Sequence, residues 1–205
     1  MLLEIWDVAG PMDDAFRRHL DDVLEHRRML PGVSSAESWL GAVDDSGSLG
    51  AERSRIVLLH DTSTPEARLM ITGWPDPPPP RTLRRHVYDA TTVSDRRVEG
   101  RADPTTAPAL RFVAMNCAPN HESEFHAWYE EDHLPAFTDL PGVLAGRRLF
   151  APAAPRKHLA IYWLASLDVV ADPSWAQAAQ TQRTAMIRPH TSDRDRINLL
   201  RPSGS

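Results

Sequence analysis

Short apolar runs of β-rich composition alternate with amphipathic stretches along most of the chain. In the first half, residues 2–7 (LLEIWD), 34–40 (SSAESWL), 55–60 (RIVLLH) and 86–93 (HVYDATTV) read as strands, and 13–29 and 64–74 read as helices. The second half repeats that order, with strands near 111–117, 144–151, 157–166 and 194–200 and helices near 122–134 and 174–187. Leu-Pro-Gly-Val stands at 30–33 and again at 140–143, an offset of 110 residues. In both places it ends a helix and turns the chain into a strand. At that offset LLEIWD falls on FVAMNC (112–117), Asp22 on Asp132 and Leu24 on Leu134. The expectation is a duplication: a degenerate repeat over 1–98, a linker over 99–109, and a second repeat over 110–205. The first copy departs at PDPPPP (75–80), which can be neither helix nor central strand.

Strand, helix, strand, strand, helix, strand predicts an α+β unit: an antiparallel sheet with two helices on one face, the ferredoxin-like arrangement. The other face of each sheet is left bare and must be covered. Two repeats in one chain could cover each other, sheet to sheet, as an intrachain pseudo-dimeric α/β barrel. Such a chain could be a monomer or a homodimer.

Composition narrows the partners. The chain of 205 residues is 41% hydrophobic and 25% charged, enough apolar material for a core. Its net charge is -5 and its basic clusters are short, which argues against nucleic acid. A single cysteine, Cys117, excludes an internal disulfide and a cysteine-based zinc motif, and fits a reducing cytoplasm. No apolar run approaches the roughly 20 residues that span a bilayer, and MLLEIWDVAG does not read as an export signal. The expected partner is a small molecule.

The chemistry concentrates in HAWYEEDHLP (126–135). On a helix, Phe125, Tyr129 and His133 form one stripe, with Trp128, Asp132 and Phe137 close to it. His126 and Glu130 fall on a flank expected to face water. A phenol and an imidazole one turn apart can converge on one ligand, and the His133 imidazole has an ordinary pKa suited to proton transfer near neutral pH. The competing reading makes His133 a helix-end residue bonded to backbone carbonyls. Asp132 could orient His133 or simply cap or pair with an arginine. Strand alternation sets Val113, Met115 and Cys117 on one face; Asn116, on the other, could donate to a substrate oxygen or face the other sheet. Arg147 and Arg148 alternate, so one points inward, and Arg147 is placed with the binding residues. His126 and His133 are too far apart in sequence for helical metal chelation, and no phosphate loop or nucleophile elbow is present; no metal or cofactor is expected.

The pattern Phe125-x-x-Trp128-Tyr129-x-x-x-His133-x-Pro135, followed by Leu140-Pro141-Gly142, resembles the EthD-like and related members of the dimeric α/β-barrel superfamily. The match is specific over about 125–142. The resemblance implies the fold and a pocket beside this helix. It leaves the reaction open, because the superfamily includes cofactor-independent monooxygenases, lactone isomerases, polyketide cyclases, decarboxylases and heme enzymes. The leading expectation is a cofactor-independent acid–base enzyme of lyase, isomerase or cyclase type, dehydration and decarboxylation included. Its substrate would be a small oxygenated, largely apolar molecule of secondary metabolism or aromatic catabolism. In it His133, Tyr129 and Asp132 are catalytic, and Trp128, Phe125, Asn116 and Arg147 bind substrate. The alternatives are a non-catalytic ligand-binding or stress-response protein, and heme-dependent or monooxygenase activity on the same fold.

Overall fold

The computed structural model describes residues 1–10, 12–41, 53–73 and 81–202. They form two compact units, one of residues 1–90 with the C-terminal stretch from Arg201, the other of Thr91–Leu200. The 75–80 proline run lies outside the described residues. Among the described residues no helix is long and apolar enough to cross a membrane.

The first unit runs β1 (Leu2–Ala9), α1 (Asp14–Arg28), β2 (Val33–Gly41), β3 (Arg53–Thr62), α2 (Pro65–Thr72) and β4 (Thr82–Asp89). Its strands lie in the order β4-β1-β3-β2, with antiparallel pairing throughout. Asp13 starts α1 by accepting the Phe16 N–H at 2.9 Å. Phe16, Leu20, Val23 and Leu24 then pack on Trp6, Val8, Ile56 and Leu58 of the sheet. Among these apolar side chains sits an ionic cluster that the hydrophobic pattern does not announce. Glu4, fully buried, bonds Arg27, Arg85 Nε (2.7 Å) and Trp6 Nε1 (3.1 Å), with His60 Nε2 at 3.3 Å. Burial alone would raise the Glu4 pKa, but His60, Arg27 and Arg85 outweigh it and hold the carboxyl at about 2.

The second unit runs β5 (Thr91–Arg97), β6 (Ala109–Cys117), α3 (Glu122–Trp128), a π turn (Tyr129–His133), α4 (Leu134–Thr138), β7 (Val143–Phe150), β8 (His158–Leu164), α5 (Asp168–Ala171), α6 (Pro173–Ala178), α7 (Gln182–Ile187) and β9 (Thr191–Leu200). Its strand order is β9-β6-β8-β7-β5, again antiparallel. The single strand expected over 86–93 is two. β4 stops at Asp89 beside Leu2, the Ala90 N–H bonds the Met1 carbonyl, and β5 pairs with β7. The stretch read as a linker holds a short turn at Pro104–Thr106 capped by Asp103, and β6 begins at Ala109. The helix expected over 174–187 is broken because start signals interrupt it: Asp172-Pro173 opens α6, and Thr181 caps α7.

Both Leu-Pro-Gly turns have the same local geometry. Gly32 and Gly142 take φ +83° and +81°, a region that favours glycine, and an added Cβ would meet Thr64 Oγ1 at 2.7 Å or Val169 Cγ2 at 2.5 Å. In each, the glycine carbonyl accepts an N–H from just past the next strand but one: Ser63, after β3, to Gly32 and Ala165, after β8, to Gly142, both 2.8 Å. The helices before these turns differ. α1 buries Phe16, Leu20, Leu24 and Arg27, whereas its counterpart buries Phe125, Tyr129, Leu134 and Phe137. One extra residue lies between Tyr129 and Leu134, and the π turn absorbs it.

Candidate functional site

The π turn builds the site. Leu134 N–H reaches back five residues to the Tyr129 carbonyl. The next residue, Pro135, has no N–H to give, so the return to α-helical bonding wastes no donor. In an α-helix residues five apart stand roughly 140° apart around the axis. Here Trp128 and His133, five apart, have ring centroids 4.2 Å apart. The wider turn puts both halves of the helix on the same sheet face.

His133 is ringed by Trp128, by Tyr129 at 4.8 Å and by Phe137 at 4.7 Å. The residue keeps part of its surface in solvent, but Nδ1 is buried and has no hydrogen-bond partner. Burial, and then the fields of Arg148, Arg188, Arg196 and Arg194, hold its pKa at about 3. The imidazole is neutral at working pH. The helix-end reading, with carbonyls binding the ring, is not what forms.

Tyr129 and Tyr162 stand below it, both buried. Burial raises both phenol pKa values, so both are neutral donors. They face each other closely enough to act on one another's titration, yet the Tyr162 hydroxyl has no bond of ordinary geometry. The Arg148 guanidinium lies 4.4 Å from the Tyr129 ring centroid and 5.7 Å from that of Phe125. It is 1% exposed, pairs with Glu130 and donates to His126 Nδ1 at 3.2 Å.

Several expected residues take other parts. Arg147 lies on the opposite strand face, paired with Asp95 at 2.6 Å and 5.3 Å from the Trp163 ring; alternation makes Arg148 the inward arginine. Asp132 does not orient His133: it accepts the Thr181 hydroxyl at 2.9 Å, tying the π turn to α7. Asn116 is occupied, donating to the Pro155 carbonyl at 2.7 Å and accepting the Lys157 N–H at 3.0 Å. His126 is half-buried rather than water-facing, and burial followed by Arg148 lowers its pKa. Phe125 and Trp128 are both buried beside Tyr129, and Trp128 Nε1 donates to Thr184 Oγ1 at 3.0 Å. Val113, Met115 and Cys117 do pack under the helices. Tyr162 and His158 were missed. Both sit on alternate positions of HLAIYWL (158–164), where an all-buried strand hides its polar members in an apolar run.

Among the described residues no group of three or more His, Cys, Asp or Glu side chains stands together as a metal site. A heme, which the resemblance admits, needs an open axial face and a ligand oriented through its second nitrogen. Neither inner histidine fits. His133 Nδ1 lies buried among the Trp128, Tyr129 and Phe137 rings with no acceptor to orient the imidazole. His158, 2% exposed and held at about pKa 4 chiefly by burial, lies against Phe125, Phe150 and His126 with neither nitrogen hydrogen-bonded and Glu122 Oε1 3.8 Å from Nε2. The arrangement instead brings together aromatic walls, neutral phenols, one imidazole and a buried cation.

No family model matches the chain, and no curated protein matches it. Among solved structures it is similar to an anthrone oxidase-like protein (TM-score 0.60, 9% identity, covering 98% of this chain and 91% of that one). It is similar to a candidate monooxygenase from Fusobacterium nucleatum subsp. nucleatum (TM-score 0.56, 11% identity, 98% and 91%). A candidate chlorite dismutase also matches (TM-score 0.52, 12% identity, 98% and 94%). At these identities the likeness carries the fold, a ferredoxin-like α+β architecture. It also overturns the leading expectation. The activities named for these three are redox activities, and the cofactor-independent lyase, isomerase or cyclase is withdrawn.

Proposed function

We propose that the second unit oxidises a small, largely apolar phenolic or enolisable molecule with dioxygen, in the manner of a monooxygenase. The observation that carries this reading is the buried, unpartnered Nδ1 of His133 inside an aromatic sleeve under a field of arginines. Leaving such an atom unbonded costs about 1–3 kcal/mol, which a polar ligand would offset. The neighbours named monooxygenase and anthrone oxidase-like point the same way.

The chemistry needs an anion that can react with oxygen. A ligand CH2 conjugated through an aromatic ring with a carbonyl gives one proton to His133. The positive charge of Arg148 and the hydroxyl of Tyr162 favour the resulting enolate, as preorganised donors do. That anion also offsets the arginine field that depresses the imidazole pKa, so the acceptor becomes more basic when it is needed. The enolate carbon delivers an electron pair to dioxygen, and the peroxide anion takes the proton back from His133. Loss of water then leaves a ketone: CH2 plus O2 gives C=O plus H2O, with the four electrons lost by carbon gained by oxygen.

Oxygen uptake on anthrone and a panel of related phenols and enolisable ketones tests the reading. The wild-type chain should consume oxygen, and His133→Ala should lower the rate by about 10²–10⁴-fold, the range for one positioned proton-transfer group. Tyr162→Phe should cost less. Unchanged uptake in His133→Ala, or none with the wild type across the panel, would reject the site.

We further propose that the two units descend from a duplication, with EthD-like character in the Trp128–Pro135 segment. The matching Gly32 and Gly142 turns support it. So does the burial register. At an offset of 110, Glu4, which faces α1, would fall on Ala114, which faces away from the helices. At 109 it falls on Val113, which packs under them. The π-turn residue reconciles an offset of 109 before the turn with 110 after it.

A further inference from the structure

Among the described residues, two guanidinium groups beside the site have no carboxylate to answer them. α7 is fastened to the site, since Thr184 takes the Trp128 N–H and Ile187 packs in the cluster with Phe125 and Tyr129. Arg188 follows α7 directly and donates to the Ala179 carbonyl at 3.0 Å. Arg194 stands in β9 after Asp193, whose φ is 52°, and donates to the Arg188 carbonyl at 3.2 Å and to the Thr191 hydroxyl. Among the described residues neither has an acidic partner. The nearby acids are engaged elsewhere: Glu131 with Arg183 (2.9 Å), Asp195 with Arg156 (3.8 Å), Asp193 with Asn116 (3.2 Å) and Asp132 with Thr181 (2.9 Å).

An exposed arginine pair is most often a solvated surface. Here both arginines stand at the end of α7, whose Ile187 packs in the cluster with Phe125 and Tyr129, and with the exposed Arg196 and the buried Arg148 they help to depress the His133 imidazole. A pair of cations at the end of a helix that packs on aromatic walls is complementary to a flat apolar molecule with a charged end. Guanidinium matches a carboxylate in geometry as well as charge.

We infer that the molecule handled at this site carries a carboxylate, held by Arg188 and Arg194 while its apolar body lies against Trp128, Tyr129 and Phe137. The inference rests on the oxidative reading for the reaction, but concerns binding.

Anthrone and anthrone 2-carboxylate are the probes, with dissociation constants from titration calorimetry and rates from oxygen uptake. The carboxylate should bind the wild type at least about tenfold tighter than the neutral compound, and that ratio should shrink in high salt, because the pair is exposed. In the Arg188→Gln, Arg194→Gln double variant the ratio should fall to near one. Arg188→Lys with Arg194→Lys, which keeps both charges, should restore much of it and guards against a merely misfolded variant. Equal affinity of the two probes in the wild type, or a preference that survives the glutamines, overturns the inference. Oxidation of both probes with no carboxylate preference defeats this inference alone. Tight carboxylate binding without oxygen uptake defeats the oxidative reading and leaves this one standing. If neither probe binds, both fall.

Discussion

His133 reads from sequence as a helix-end imidazole with an ordinary pKa, yet its setting holds it near 3. His158 is held at about 4, and burial leads the depression in both. The consequence for stability has a definite sign. Between the unfolded imidazole value of about 6.5 and these folded values, the unfolded chain binds protons that the folded chain refuses. Acidification through that window therefore favours unfolding, and stability is complete only above it. The thermal midpoint should fall between pH 7 and pH 4.5, and the slope should flatten in a His133→Gln, His158→Gln variant. A midpoint that rises on acidification would refute the burial of these rings.

The helix pattern of the sequence groups Phe125, Tyr129 and His133 together, misplaces the half-buried His126, and is silent about the wider turn between them. Counting in steps of four puts Phe125, Tyr129 and His133 on one stripe, and they do cluster. The same count continued as a plain helix would carry Leu134 and Phe137 off the sheet. Only Pro135 hints at the change of pitch, because a proline interrupts the bonding ladder. Deletion of the exposed Glu131 should restore the spacing that α1 uses for Phe16, Leu20 and Leu24. We expect that variant to fold, with a thermal midpoint within a few degrees of wild type and a helix of ordinary pitch. A collapse of the fold would show that the inserted residue is structurally required. Asn116 and Asp132 were misread for a related reason: sequence tells which residues are polar, but not which loop or neighbouring helix will claim them first.

At the scale of the molecule, much of the order of elements along the chain and the paired Leu-Pro-Gly turns were legible, since both follow from periodicity and glycine geometry, though the strand expected over 86–93 is two. The buried charge of Glu4 and Arg27 was not, because a carboxylate in LLEIWD looks like any strand polar residue until its partners arrive from α1, β3 and β4. That cluster belongs to the first unit and includes none of the residues of the proposed chemistry. Glu4→Gln should destabilise the fold by about 3–5 kcal/mol, the cost of stranding buried guanidinium charge, while the folded fraction keeps its turnover. Equal losses of turnover per folded molecule would place the first unit in the reaction. The reaction itself is tested most directly by isotope: the purified chain is given anthrone under ¹⁸O₂ in ordinary water and the product ketone is analysed by mass spectrometry. Oxidation at His133 predicts one ¹⁸O atom in each new carbonyl, one O₂ consumed per ketone formed, and loss of both in His133→Ala. A carbonyl oxygen that comes from water during turnover, before any exchange, or a labelled yield no greater than that without protein, would contradict it.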